Sequence, residues 1–92
     1  MEVEIGKVTH YYNHLQVAVL KLNDSLKLGD RIHVLGHSTD LVERVTSMEV
    51  NHHVVVWVNP GEDVAIKVNE PVREHDVVFR ITSETLESNL AV

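Results

Sequence analysis

Apolar and polar residues alternate along most of this chain with a period of two, and this alternation restricts the fold more than any other feature. It is cleanest in the segment VAIKV, where Val64, Ile66 and Val68 share one face while Ala65 and Lys67 share the other. A period of two is that of a β-strand, because successive side chains leave opposite faces of a sheet. A helical period is nearly absent, so the sequence predicts an all-β protein.

Turn signals separate the alternating segments at intervals of roughly 8–12 residues, a spacing typical of β-sandwiches and β-barrels. The clearest are NDS (23–25), GHSTD (36–40), NPGED (59–63) and NEPVREHD (69–76). About seven strands fit between these signals. Closure into a barrel removes exposed strand edges, which a small sheet protein must otherwise protect. We therefore predict a single small closed antiparallel β-barrel over residues 1–82, and a polar, flexible C-terminal tail over residues 83–92.

The phases of the predicted strands give a predicted core. In the first strand, Gly6 interrupts the alternation and is interpreted as a β-bulge. The segments LVERVTSMEVN and HHVVVWV are each interpreted as one strand. Phe79 and Trp57 are assigned to the core, because large aromatic side chains are usually well buried. The side chains predicted to be largely buried are Ile5, Val17, Ile32, Val34, Met48, Val64, Ile66, Phe79 and Ile81.

The composition fits one small soluble domain and excludes several kinds of chemistry. Hydrophobic residues make up 43% of the 92 residues, which is enough for a packed core. There is no cysteine, which excludes disulfides, thiolate metal sites and thiol nucleophiles. The start MEVEIG lacks the basic residues and apolar run of a signal peptide, and no apolar run approaches the ~20 residues of a membrane span. We expect a cytoplasmic protein without membrane contact.

The charge balance is acidic, with 14 Asp and Glu against 8 Lys and Arg and a formal net charge of −6. Nonspecific attraction to nucleic acid depends on clustered Lys and Arg, so this balance weakens it. The cations are spread along the chain, and their positions in the sequence show no basic patch. We interpret them as parts of a solvated surface.

Seven histidines raise the question of a metal site. His52 and His53 are adjacent, so on a strand they point to opposite faces and cannot ligate one metal together. His10 and His14 flank a predicted hairpin and could come together across it, whereas His33, His37 and His75 have no zinc-type spacing such as HExxH. A metal site needs three or four converging ligands. We therefore predict no metal and no other cofactor.

Catalytic motifs are also missing. The GHSTD segment holds a hydroxyl, a base and an acid in His37, Ser38 and Asp40, but neighbours in a turn rarely align as a catalytic set. Side-chain hydrogen bonds to the turn backbone account for the same residues. No phosphate-binding loop is present, which argues against nucleotide binding and GTP hydrolysis. We predict a protein that is not an enzyme.

Several segments resemble a known barrel in order and spacing. LKLGDRIHV is similar to the hydrophobic-x-hydrophobic-Gly-Asp element in the second domain of translational GTPases such as elongation factor Tu. IGKVTHYY, VTSMEVNH, NPGEDVAIKV and PVREHDVVFRI resemble its other strands and loops, so that the likeness covers about residues 3–82. More narrowly, the chain resembles small standalone elongation-factor-like proteins made of this barrel alone. It departs from them at Asn13 and His75, where such barrels commonly have glycine.

The resemblance implies a non-catalytic binding module connected with translation, in contact with transfer RNA, the ribosome or a translation factor. The alternative is a protein–protein interaction module, or an accessory module of an enzyme, because similar barrels are appended to collagenase-like peptidases. Recognition residues usually lie on loops of a rigid scaffold, which directs attention to the HYYNH hairpin and the GHSTD turn. Tyr11 and Tyr12 occupy opposite faces, so at least one is expected to be exposed. The candidate contact residues are Tyr11, Tyr12, His14, His37 and Ser38.

Overall fold

Ten β-strands and no helix make up residues 1–82, the part of the chain that the computed structural model describes. The strands are β1 (Glu2–Tyr12), β2 (Val17–Leu22), β3 (Leu26–Lys27), β4 (Arg31–Leu35), β5 (Asp40–Arg44), β6 (Met48–Val50), β7 (His53–Val54), β8 (Trp57–Val58), β9 (Asp63–Lys67) and β10 (Val77–Ile81). The predicted all-β fold is thereby confirmed. The predicted flexible tail, 83–92, lies outside the described residues.

All strand pairs are antiparallel, and they form one large and one small sheet. Eight strands follow the order β5-β4-β10-β1-β2-β9-β6-β7, and β3 pairs with β8 in a separate two-stranded sheet. The first and last strands of the described chain are therefore hydrogen-bonded neighbours. Glu2 pairs with Ile81, and the backbone N–H of Thr82 donates to the carbonyl of Met1 at 2.8 Å.

Strand β1 pairs with β10 along its first half and with β2 along its second half. The register shifts between Glu4 and Gly6, and again between Val8 and His10. The first shift confirms the bulge predicted at Gly6. A β-carbon on Gly6 would overlap the carbonyl oxygen of Lys21, so only glycine lets β1 and β2 approach this closely.

The core fills the space on one side of the large sheet. Its members are Ile5, Val8, Ala18, Leu20, Leu22, Leu26, Ile32, Val34, Leu41, Val45, Met48, Val58, Val64, Ile66, Val68, Val72 and Val78. Alternation placed most of the inward faces correctly, because six of the side chains predicted to be buried are buried: Ile5, Ile32, Val34, Met48, Val64 and Ile66.

The remaining three residues of the predicted core, Val17, Phe79 and Ile81, are only half-buried. In β2 the inward residues are Ala18, Leu20 and Leu22, and in β10 the buried residue is Val78. Both strands are apolar on both faces, so alternation did not show which face points inward. The phases of β2 and β10 were therefore predicted wrongly.

Two segments that were each predicted as one strand are divided. Asn51 and His52 adopt positive φ angles of 52° and 66° and form the turn that joins β6 to β7. Consecutive positive φ angles suit a tight hairpin turn. The run HHVVVWV supplies β7 and β8, which lie in different sheets. Similarly, LVERVTSMEVN supplies β5 and β6. The high density of β-forming residues predicted strands here, but it did not show where one strand ends and the next begins.

The outer strands of the large sheet are β5 and β7, and within residues 1–82 no ladder joins them. The small sheet lies in this gap. Gly29, just after β3, donates its N–H to the carbonyl of Val45 at 2.9 Å, and Val45 donates to the carbonyl of Asp30 at 2.8 Å. These isolated bonds connect the end of β5 to the β3 region without closing a sheet. The closed barrel therefore stays a prediction.

Positive φ angles mark two loops at which the chain departs from the barrels it resembles. His75, where a glycine is common in those barrels, adopts a φ of 78°. In the hairpin between β1 and β2 the residue with positive φ is Gln16, at 57°, rather than Asn13. Among the described residues, no helix has the length and apolar character that crossing a membrane requires.

Candidate functional site

A cleft of about 590 Å³ opens where the small sheet meets the ends of β4, β5 and β10. Its lining comes from several separate segments of the chain: Ser25, Lys27, Leu28, Gly29, Asp30, Arg44, Trp57, Arg80, Ile81 and Thr82. Gly29 adopts a φ of 93°, a conformation that favours glycine, and this turn brings the β3 and β4 sides of the cleft together. The Gly-Asp pair before β4 therefore shapes one wall of the cleft.

The apolar part of the cleft is formed by Trp57 and Leu28, which are both exposed, and by the half-buried Ile81. The side chain of Trp57 is 53% exposed, so the core position predicted from its size is wrong. Its indole N–H donates to the side-chain oxygen of Asn59 at 2.9 Å, which orients the ring beside the NPGED turn. An exposed tryptophan held by a hydrogen bond offers a large apolar surface at a low entropic cost.

Three cations contribute to the cleft, and their charges are balanced differently. Arg80 donates to the carbonyl of Ser25 and pairs with Asp24 at 3.2 Å, so its charge is compensated. The N–H of Ser25 donates to the Asp24 carboxylate and, together with Arg80, lowers the pKa of that carboxyl below its ordinary value. Arg44 donates at 2.7 Å to the neutral carbonyl of Gly29. Within residues 1–82, Lys27 forms no ion pair.

The cleft has few side chains that could take part in acid–base chemistry. Among the described residues, Asp30 is the one carboxylate in the lining, and it accepts a hydrogen bond from the backbone N–H of Lys27 at 3.0 Å. No histidine of residues 1–82 lines the cleft, so its hydroxyls, on Ser25 and Thr82, have no imidazole beside them. Over the described part of the chain, no cluster of three or more His, Cys, Asp or Glu side chains could hold a metal ion.

The contact residues predicted from the sequence lie elsewhere. Tyr11 is half-buried against the core, whereas Tyr12 is exposed, which confirms that at least one of the two tyrosines faces solvent. His14 lies in the hairpin between β1 and β2, and His37 and Ser38 lie in the turn between β4 and β5. β10 separates these two turns in the sheet order, and neither lines the cleft. Their role in binding stays a prediction.

A carboxylate–histidine–carboxylate cluster lies on the outside of the large sheet and was not predicted from the sequence. The imidazole of His33 contacts Glu2 through Nδ1 at 2.9 Å and Asp40 through Nε2 at 2.7 Å. The side chain is only 16% exposed. Hydrogen bonds to Glu2 first, and then to Asp40, raise the pKa of His33 above its ordinary value. The partners are 31 and 7 residues away, so no local pattern could have revealed the cluster.

The raised pKa of His33 predicts a pH dependence of stability. The folded-state pKa lies above the unfolded value of about 6.5, so the stabilisation is fully present below that pH and is lost as pH rises through the folded pKa. Between about pH 6 and pH 9, we expect the free energy of unfolding to fall more in the wild type than in His33→Gln. Urea unfolding across this range measures the difference. His53→Gln, at an exposed histidine, is the control. Parallel curves for the wild type and His33→Gln would disprove the effect.

No family model matches the chain. Among curated proteins, it is 41% identical over 86 residues to an uncharacterized protease of Methanocaldococcus jannaschii. The match includes 92% of this chain. It spans only about a fifth, 21%, of that protein's length. The chain is thus similar to one segment of a protease.

Solved structures show the same fold. The C-terminal domain of a Geobacillus thermoleovorans protein described as a U32 peptidase superimposes with a TM-score of 0.79 and 15% identity, over 85% of this chain and 91% of that domain. The selenomethionine variant of that domain gives a TM-score of 0.77 at 15% identity, over 82% and 95% of the two chains. At this identity the likeness concerns the fold alone.

These comparisons correct the predicted membership among elongation-factor-like proteins, and with it the predicted link to translation. The sequence relative and the structural neighbours are proteins described as peptidases. The apolar residues that carry the resemblance in LKLGDRIHV have structural roles: Leu26, Ile32 and Val34 are buried in the core, and Gly29 forms the turn. Residues of this kind identify a fold that hosts several functions, so the resemblance could not specify one.

Proposed function

We propose that the chain is a non-catalytic binding module that serves a peptidase by holding polypeptide. The observation that carries this proposal is the 41% identity between nearly the whole chain and one fifth of a protease. The likeness to a separate C-terminal domain of a protein described as a U32 peptidase supports a module with its own core. The accessory role weighed in the sequence analysis is therefore preferred over a contact with RNA.

The cleft beside Trp57 is the proposed binding site. Its indole and the Leu28 side chain offer apolar surface. Within residues 1–82, Lys27 and Arg44 form no ion pair, and these two cations outnumber Asp30, the one carboxylate of the lining. An extended polypeptide with an apolar side chain beside a carboxylate fits this combination. In a chain of net charge −6, these cations also favour acidic over basic peptides at this position.

Trp57 is the only tryptophan of the chain, so its fluorescence reports on the cleft without labelling. We expect an acetylated peptide of alternating Leu and Glu to shift the emission in a saturable manner below about 1 mM, whereas a Leu and Lys peptide of equal length does not. Mass spectrometry of the recovered peptide should show no cleavage. An unchanged emission, an equal response to both peptides, or cleavage that follows the protein peak would contradict the proposal.

Lys27→Gln is expected to weaken binding of the acidic peptide about threefold to tenfold, because it removes a cation from the cleft. Lys67→Gln is the matched control, since Lys67 is also an exposed strand lysine but lies on β9, outside the cleft. An equal loss of affinity in both variants would show that the net charge of the protein, rather than the cleft, attracts the peptide.

A further inference from the structure

Strand β5 has an edge that no other strand of residues 1–82 covers. It is one of the two outer strands of the large sheet, and β4 pairs with it on one side only. An uncovered strand edge presents backbone N–H and C=O groups that need hydrogen-bond partners. The other outer strand, β7, has only two residues, whereas β5 has five. The edge of β5 is therefore the longer of the two.

The hydrogen bonds of the β4–β5 hairpin determine which backbone groups face this edge. Gly36 and Thr39 exchange backbone hydrogen bonds of 2.8 and 3.4 Å. Hydrogen-bonded and non-bonded residue pairs alternate along an antiparallel ladder. The register therefore puts Asp40, Val42 and Arg44 at non-bonded positions, where their N–H and C=O groups point away from β4. Outside the ladders, no backbone hydrogen bond within residues 1–82 involves these three residues, and their side chains are exposed.

The strand is held in its extended form by contacts on its inner side and at its end. Leu41 is buried in the core, and the carboxylate of Glu43 accepts the backbone N–H of Asn69 at 2.9 Å. Val45, the first residue after β5, is hydrogen-bonded to the β3 region. The open edge thus ends at the cleft, which Arg44 also lines. Because β5 is already ordered, a ligand that binds its edge loses little affinity to the ordering of the protein.

We propose that an extended polypeptide adds to the edge of β5 as an extra strand, in continuation of the peptide held by the cleft. The open groups lie on every second residue, at 40, 42 and 44, and those on one edge of an extended chain have the same spacing. Arg44 belongs both to β5 and to the lining of the cleft, so one polypeptide can occupy both. The inference rests on the proposed function for the nature of the ligand, and it adds the path and the mode of binding.

The exposed side chains of β5 favour particular neighbours on the added strand, because side chains that lie opposite each other on one face interact. Arg44, which forms no ion pair within residues 1–82, favours an acidic residue at the cleft end. Val42 is 48% exposed and favours an apolar or β-branched residue. At the far end, a second carboxylate would meet that of Asp40. The path therefore suits a polypeptide that is acidic near the cleft and neutral beyond it.

Lengthening the peptide separates the edge from the cleft. The probe is the acetylated Leu and Glu peptide of the fluorescence test, extended by about six alternating Val and Thr residues, enough to span β5. One version carries the extension at the N-terminus and the other at the C-terminus, which covers both directions of the added strand. We expect one version to bind about tenfold more tightly than the unextended peptide, because it adds several backbone hydrogen bonds. Trp57 emission measures the affinities.

Val42→Pro tests the edge itself. Proline removes the N–H that faces the added strand, and an outer strand tolerates it where that N–H faces solvent. The gain from the extension should disappear, whereas the unextended peptide should bind as before, because Val42 does not line the cleft. Val54→Pro is the matched control on β7. Val54 is also exposed, and the bond from Val55 to Met48 leaves its N–H at the other open edge. Circular dichroism verifies that both variants fold.

Hydrogen exchange of the wild-type amides reads the edge without any substitution. The amides of Val42 and Arg44 should exchange quickly in the free protein and at least about tenfold more slowly with saturating extended peptide. Leu41 is the internal control, since its register position bonds it to β4. An unextended peptide that leaves Trp57 emission unchanged would contradict the proposed function of the cleft, and protection of Val42 by an extended peptide would still support the edge. No gain from either extension, a gain that persists in Val42→Pro, or unchanged exchange at Val42 would overturn the added strand.

Discussion

Leu20→Ala is expected to lower the free energy of unfolding by about 2–5 kcal/mol, the largest effect of any substitution considered for this protein. Leu20 is fully buried in the middle of β2, between β1 and β9 in the sheet. Truncation removes apolar contacts with both neighbours and leaves a cavity that the strands on either side cannot fill. Because a domain of this size is stabilised by only about 5–15 kcal/mol, a large part of its stability would be lost.

Urea denaturation followed by circular dichroism measures this loss, and the same hairpin provides a control. Leu15→Ala removes the same atoms from a largely exposed leucine and should change the free energy of unfolding by less than about 0.5 kcal/mol. A loss of similar size in both variants would mean that β2 does not present Leu20 to the core.

Gly6→Ala is expected to lower the free energy of unfolding by about 2–3 kcal/mol, because an added methyl group forces the two strands apart. The new β-carbon would overlap the carbonyl oxygen of Lys21 and lie 3.1 Å from the α-carbon of Leu22. Both are backbone atoms of β2, so no side-chain rotation relieves the contact. Thermal unfolding of the variant and the wild type measures this loss of stability.

Gly29→Ala separates crowding from backbone strain. A β-carbon at Gly29 meets no atom within 4 Å, but the residue has a φ of 93°. Its substitution should therefore lower the free energy of unfolding only by the strain of a positive φ, about 1–2 kcal/mol. A Gly6→Ala variant that is no less stable than Gly29→Ala would refute the crowding argument.

The sequence predicted which segments form strands better than it predicted which face of each strand is buried. Alternation placed Ile32 and Val34 inward because the intervening residues, Arg31 and His33, are polar. In β10 the same reasoning failed, since Phe79 and Val78 are both apolar and only the tertiary structure decides which one is buried. The bulge at Gly6 was predictable because a glycine inside a strand that also shifts the alternation is typical of a bulge.

The candidate site was less predictable than the fold. The lining of the cleft comes from segments as distant as Ser25 and Thr82, and turns rather than motifs bring them together. Trp57 was assigned to the core on its size, but in β8 the neighbouring Val58 takes the inward position and leaves the indole on the opposite face. His33 owes its raised pKa to carboxylates on β1 and β5, a contact that depends on strand order.

The pairing of β1 with β10 has a consequence for any larger protein that contains this domain. Met1 and Thr82 are joined by a backbone hydrogen bond, so both ends of the described segment emerge at a single point. A domain with adjacent ends can be inserted into a host loop, or attached through either end, with the same orientation. Thr82 also lines the cleft. A host enzyme attached through Met1 would therefore stand beside the cleft that is proposed to hold polypeptide.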